Sequence, residues 1–149
     1  MNVLSMSLTG DDSGGWIWGV RVDDLELFRT EPLARNDLAA ALFSVQRDNS
    51  RSNPYFCDVS DEDLLLILDG FFFGALHDAL RASAEEQTWA RHLVSPTLPA
   101  TVWSRMYLVG CGGDKERLLV WQSQRRRTYR IAAGSFDKEL SEVVRCLEK

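Results

Sequence analysis

The alternation of large apolar with small or polar residues in GWIWGVRV (15–22) marks a β-strand, because successive side chains of a strand point to opposite faces. Asp23–Asp24 is turn chemistry, LELF (25–28) completes a hairpin, and Glu31–Pro32 ends it. The period then changes. In NDLAAALFSVQRD (36–48), Leu38, Ala41, Leu42 and Val45 recur at helical spacing, with Asn36 as N-cap and Asp37 in the first turn. NSRSNP (49–54) is loop chemistry. Ser60 caps a second helix, in which Asp61, Glu62 and Asp63 meet the positive end of the helix dipole. Gly70 and Gly74 flank three phenylalanines and predict a kink or short break. Residues 75–93 are helix-prone, and SPTLP (95–99) ends that run.

The last third returns to a period of two. Residues 106–111, 116–122 and 127–132 read as three strands, joined by Gly112–Lys115 and then by 123–126. Residues 134–149 form an amphipathic helix, with Ser135 as cap and Phe136, Leu140, Val143, Val144 and Leu147 on one stripe. Strands and helices come in runs, without strict β-α-β alternation. This predicts an α+β fold: a single domain over 1–149, its antiparallel sheet made of the N-terminal hairpin and a C-terminal three-stranded meander, packed with helices and finished by the amphipathic helix.

Charge sharpens this picture. The 149 residues carry a formal net charge of −5. Residues 1–104 hold 7 Lys/Arg against 16 Asp/Glu, whereas 105–149 hold 10 against 6. An acidic body is unsuited to gripping phosphates, so no nucleic-acid partner is expected despite the run QSQRRRTYRI (122–131). Arg125–Arg127 read first as a solvated hairpin tip, second as a contact to an acidic partner or to carboxylates of the chain itself. The start lacks a basic n-region and a long apolar core, and LLLIL (64–68) is interrupted at Asp69, so a cytoplasmic chain with no membrane partner is expected. Three widely spaced cysteines, Cys57, Cys111 and Cys146, fit reduced thiols, with Cys111 a buried structural one.

Candidate chemistry is sparse. His77 and His92 share no ligand spacing with the cysteines, so no metal is expected. GCGGDK (110–115) fails the spacing of a phosphate loop, and no nucleophile elbow occurs, so neither an enzyme nor a cofactor is expected. Carboxylates cluster at turns and helix starts, where they cap and solubilise; together they also offer a negative surface to a basic protein. Trp16 and Trp18 share one strand face and belong either to the core or to an exposed anchor pair. Three consecutive phenylalanines cannot all face one way, so one of Phe71–Phe73 nears the surface. Trp89, Trp103 and Trp121 are assigned to the core.

A resemblance adds a function. The hairpin carrying Tyr107, Leu108, Val109, Arg117, Leu118, Leu119 and Trp121, followed by Gly134, Phe136 and Asp137 leading into the last helix, resembles the end of bacterial immunity proteins of polymorphic toxin systems, in particular the immunity protein 42 family. GWIWGVRVDDLEL (15–27) is similar to that family's opening hairpin, while residues 49–104 and the family's usual N-terminal start have no counterpart. The resemblance implies a non-enzymatic antidote that binds one cognate toxin, delivered by type VI or contact-dependent secretion, and occludes its active site. An acidic inhibitor suits a basic toxin. The expected partner-binding residues are Asp61, Glu62, Asp63, Glu85 and Glu86, with Trp18 and Phe72 as aromatic anchors. A secretion chaperone for an effector protein is the alternative. The oligomeric state is left open.

Overall fold

Among the described residues, seven strands and three α-helices form the α+β fold expected from the sequence. The computed structural model describes residues 1–46, 51–73 and 86–149, with backbone alone at 86–88. The N-terminal hairpin is larger than its apolar pattern suggests. β1 (Leu4–Gly10), β2 (Trp16–Val22), β3 (Leu25–Thr30) and the short β4 (Ala100–Val102) make a four-stranded antiparallel sheet in that order. β1 pairs with β2 along its whole length, from Leu4↔Val22 to Gly10↔Trp16. Within it, Gly19 sits at a close approach: a Cβ there would lie 2.8 Å from Ser7 Oγ on β1 and would displace that hydroxyl.

β5 (Arg105–Gly110), β6 (Lys115–Gln122) and β7 (Arg125–Ala132) form the expected meander as a separate three-stranded antiparallel sheet. Its last turn is tighter than the sequence suggests. Ser123 and Gln124 alone make it, both with positive φ (49° and 65°), the conformation of a two-residue hairpin turn whose twist matches the strands. Arg125–Arg127 therefore lie within β7 and not at the tip. β7 is an edge strand, and exposed arginines along it blunt pairing with another chain. The opposite edge is covered. β5 receives bridges from Ser52 at Gly110 and from Leu93 at Tyr107.

Helix starts deviate slightly. α1 (Arg35–Gln46) begins before Asn36, with Leu38 N–H donating to Ala34 C=O, and buries Leu38 and Leu42. α2 (Asp61–Phe73) is capped by Ser60, whose Oγ accepts from Asp63 N–H at 3.2 Å. It runs through Gly70 without the expected break. Residues 86–92 form a 3₁₀ segment instead of α-helix, and residues 75–85 of the expected helix lie outside the described residues. α3 (Ser135–Leu147) buries its expected stripe, Phe136, Leu140, Val143, Val144 and Leu147. Its cap is Gly134 at φ 80° and not Ser135, and the freed Gly134 N–H donates to the Glu116 carboxylate at 2.8 Å.

Strand alternation divides the interior in two. Met106, Leu108, Leu118, Val120 and Ile131 face the first sheet together with α1 and α3. Tyr107, Val109 and Leu119 face the other way, onto Leu64, Leu65 and Leu68 of α2, Phe56 and Trp89. β5 and the middle of β6 are thus buried on both faces, which is why they read as nearly continuous apolar runs, whereas the arginine-rich edge strand β7 is largely exposed. A buried cation joins the layers. Arg51, 1% exposed, holds Asp137 of α3 at 2.9 Å and donates to the carbonyls of Val45 and Arg91.

Candidate functional site

The outer face of α2 supplies the most distinctive surface. Glu62, Leu66, Asp69 and Phe73 recur at four-, three- and four-residue steps, so they fall on one stripe. Asp69 is buried because Arg105 covers it, with Nη1 donating to both carboxylate oxygens at 3.1 and 3.0 Å. Tyr107 Oη donates to the same carboxylate at 2.8 Å. Burial first, then this neighbouring carboxylate, push the Tyr107 phenol far up, so it stays a neutral donor.

The Arg105 guanidinium is sandwiched between aromatic rings. Its carbon lies 4.3 Å from the Phe73 ring centroid and 5.6 Å from that of Trp103. Trp103, Arg105 and Trp121 then line a cleft of about 490 Å³ with Ser123 and Gln124 of the hairpin turn. Arg126 closes the row, 5.3 Å over Trp121 and 4.0 Å from Glu62. Leu66, Phe73 and Trp103 are 45%, 47% and 50% exposed, values high for large apolar side chains. The result is a continuous strip of tryptophan, phenylalanine and arginine at the end of the second sheet. Arginines stacked on aromatic faces and held by carboxylates are fixed before any contact is made.

The expected binding residues are distributed unevenly. Trp18 is fully buried in the first core against Phe28, ring centroids 5.6 Å apart, so its role as a surface anchor is corrected. The inward face of β2 took it, while Trp16 is only partly covered. Phe72 turns inward and stacks on Tyr107 at 5.8 Å; Phe73 beside it is the exposed one. Asp61 is engaged within the chain, since Arg130 Nη2 grips both its oxygens at 3.0 and 2.9 Å and Arg117 adds a third contact. Glu62 and Asp63 are exposed, Glu62 at the margin of the aromatic strip. Glu86 opens the 3₁₀ segment; its side chain and the whole of Glu85 lie outside the described residues.

Sequence reasoning assigned Trp103 and Trp121 to the core. Trp103 sits between β4 and β5 next to Ser104 and Arg105, outside any strand; that position was the signal for an exposed ring. Cys111 is exposed, not buried, as are Cys57 and Cys146. His77 lies outside the described residues. His92 is a core residue: Asn53 Oδ1 accepts from Tyr55 N–H, so the Asn53 amide N–H donates to His92 Nε2 (3.0 Å), and His92 Nδ1–H donates to Leu108 C=O (2.9 Å). Among the described residues, no group of three or more His, Cys, Asp or Glu is arranged to hold a metal ion. Among them too, no helix is long and apolar enough to cross a membrane. Comparison of the chain with protein-family models, curated proteins and solved structures finds no match.

Proposed function

We propose that this chain is a binding protein that neutralises another folded protein. In its most specific form it is a cytoplasmic immunity protein, which occludes the active site of a cognate toxin delivered by type VI or contact-dependent secretion. The observation that carries the reading is the strip of Phe73, Arg105, Trp103, Trp121 and Arg126, with Leu66 beside it. Tryptophan and arginine dominate the energetic centres of protein interfaces, where pre-positioned rings exclude water. Here Arg105 is already stacked and ion-paired, and Arg126 is stacked on Trp121, so less side-chain freedom is lost on docking. Exposed Glu62 supplies a negative rim, and the net charge of −5 draws in a basic partner from a distance.

The direct test is co-expression with the toxin domain encoded beside the gene, scored by growth rescue and by calorimetric affinity. Trp103→Ala is expected to weaken binding by about 2 kcal/mol or more, roughly 30-fold, with the fold unchanged by circular dichroism. Unaltered affinity in Trp103→Ala and Phe73→Ser would remove this face from the interface. Binding to an unfolded effector segment, with no effect on a toxin's activity, would instead point to a secretion chaperone.

A further inference from the structure

Two cysteines far apart in the sequence are brought together at the end of β5. Residues 51–53 run along the end of β5: Gly110 N–H donates to Arg51 C=O at 2.6 Å, and Asn53 N–H donates to Gly110 C=O at 2.8 Å. Cys111 is the next residue after that carbonyl. A 3₁₀ turn over Pro54–Phe56 then folds the chain back, with Cys57 N–H donating to Pro54 C=O. This returns the Cys57 thiol to Asn53, whose carbonyl it reaches at 3.6 Å. The same Asn53 thus holds Gly110 through its N–H and Cys57 through its C=O. Both cysteines are exposed residues.

We propose that Cys57 and Cys111 form a dithiol modification site that reacts with low-molecular-weight disulfides and closes into an intramolecular disulfide. One cysteine thiolate attacks the small disulfide, forming a mixed disulfide and releasing one small thiol. The second cysteine sulfur then attacks the protein sulfur of that mixed bond and releases the other small thiol. The protein loses two electrons and two protons; the small disulfide gains both and leaves as two thiols. The thiol of Cys57 is pushed up, chiefly by the neighbouring Cys111 sulfur and then by burial, so the pair reacts slowly at neutral pH and faster as pH rises. The new bond would tie the turn before α2 to the β5–β6 connection. Arg117 of β6 already bridges toward that turn by donating to the Phe56 and Val59 carbonyls.

The test uses the full chain as wild type and as Cys57→Ser, Cys111→Ser and Cys146→Ser, incubated with oxidised glutathione between pH 7 and 9. These cysteines are exposed, so serine leaves the fold intact. Peptide mapping by mass spectrometry is expected to find a Cys57–Cys111 crosslink in wild type and in Cys146→Ser. Cys57→Ser and Cys111→Ser should each stop at a glutathione adduct on the remaining partner. The crosslinked form should melt several degrees higher than the reduced form. A stable glutathione adduct on Cys57 or Cys111 of the wild type, a crosslink through Cys146, or thiols that react only after denaturation would each overturn the proposal.

Discussion

At the scale of single residues, the buried polar groups decide more than the exposed ones. Glu116 lies under the start of α3, where desolvation, its largest influence, and the nearby Asp137 raise its pKa, against the Gly134 N–H and Arg51. A carboxyl raised in the folded state binds its proton more tightly there than in the unfolded chain. Its contribution therefore favours folding at acid pH and is lost as pH climbs from the unfolded value near 4.5 through the folded one. Glu116→Gln keeps an acceptor for Gly134 and removes the charge. It is expected to raise the melting temperature at pH 7, with the difference from wild type vanishing near pH 4; an equal shift at both pH values would refute the assignment. Sequence patterning could not have singled out Glu116 among so many carboxylates, because what distinguishes it is burial. The same holds for Asp61, which reads as one of three helix-start acids yet is the one that two arginines from other strands reach.

At the scale of elements, legibility follows the strength of the period. The buried stripe of α3 was readable to the residue, because its five apolar positions recur at helical spacing, while its cap lies one residue before the expected Ser135. The three C-terminal strands were readable within two residues, since β5 and β6 are apolar on both faces and β7 carries β-prone residues after its arginines. β1 escaped notice, although Leu4, Met6 and Leu8 alternate with Ser5 and Ser7, because only Leu4 among them is fully buried. The 3₁₀ segment at Glu86–His92 sits in a helix-like pattern that tertiary contacts overrode, with Trp89 packed on Phe56 and Phe71. The arginine run is explained by placement as well. On the edge strand β7, Arg125 and Arg127 keep a sheet margin from serving as a template. Replacing both by threonine should leave the melting temperature within about 1–2 °C. It should also produce concentration-dependent association, visible by size-exclusion chromatography; a double variant that stays monomeric at high concentration would show that the charges do not guard this edge.

At the scale of the whole molecule, two apolar cores share the second sheet as a common wall. The candidate docking strip lies at the end of that wall, assembled from α2, the β4–β5 junction, β6 and β7. No single sequence segment contains it, which is why the sequence offered acidic clusters in its place: these are contiguous in the chain, whereas Phe73, Trp103 and Trp121 meet only after folding. The Arg105–Asp69–Tyr107 chain of hydrogen bonds runs from this exterior straight into the second core. Grip and rigidity are therefore coupled by linkage: a partner that binds only the intact Arg105–Asp69–Tyr107 arrangement makes every opening of it costlier, including at the phenol within. Amide protons of β5 and α2 should then exchange with deuterium more slowly once a partner is seated, while those of β1, at the far side of the fold, keep their free-state rates.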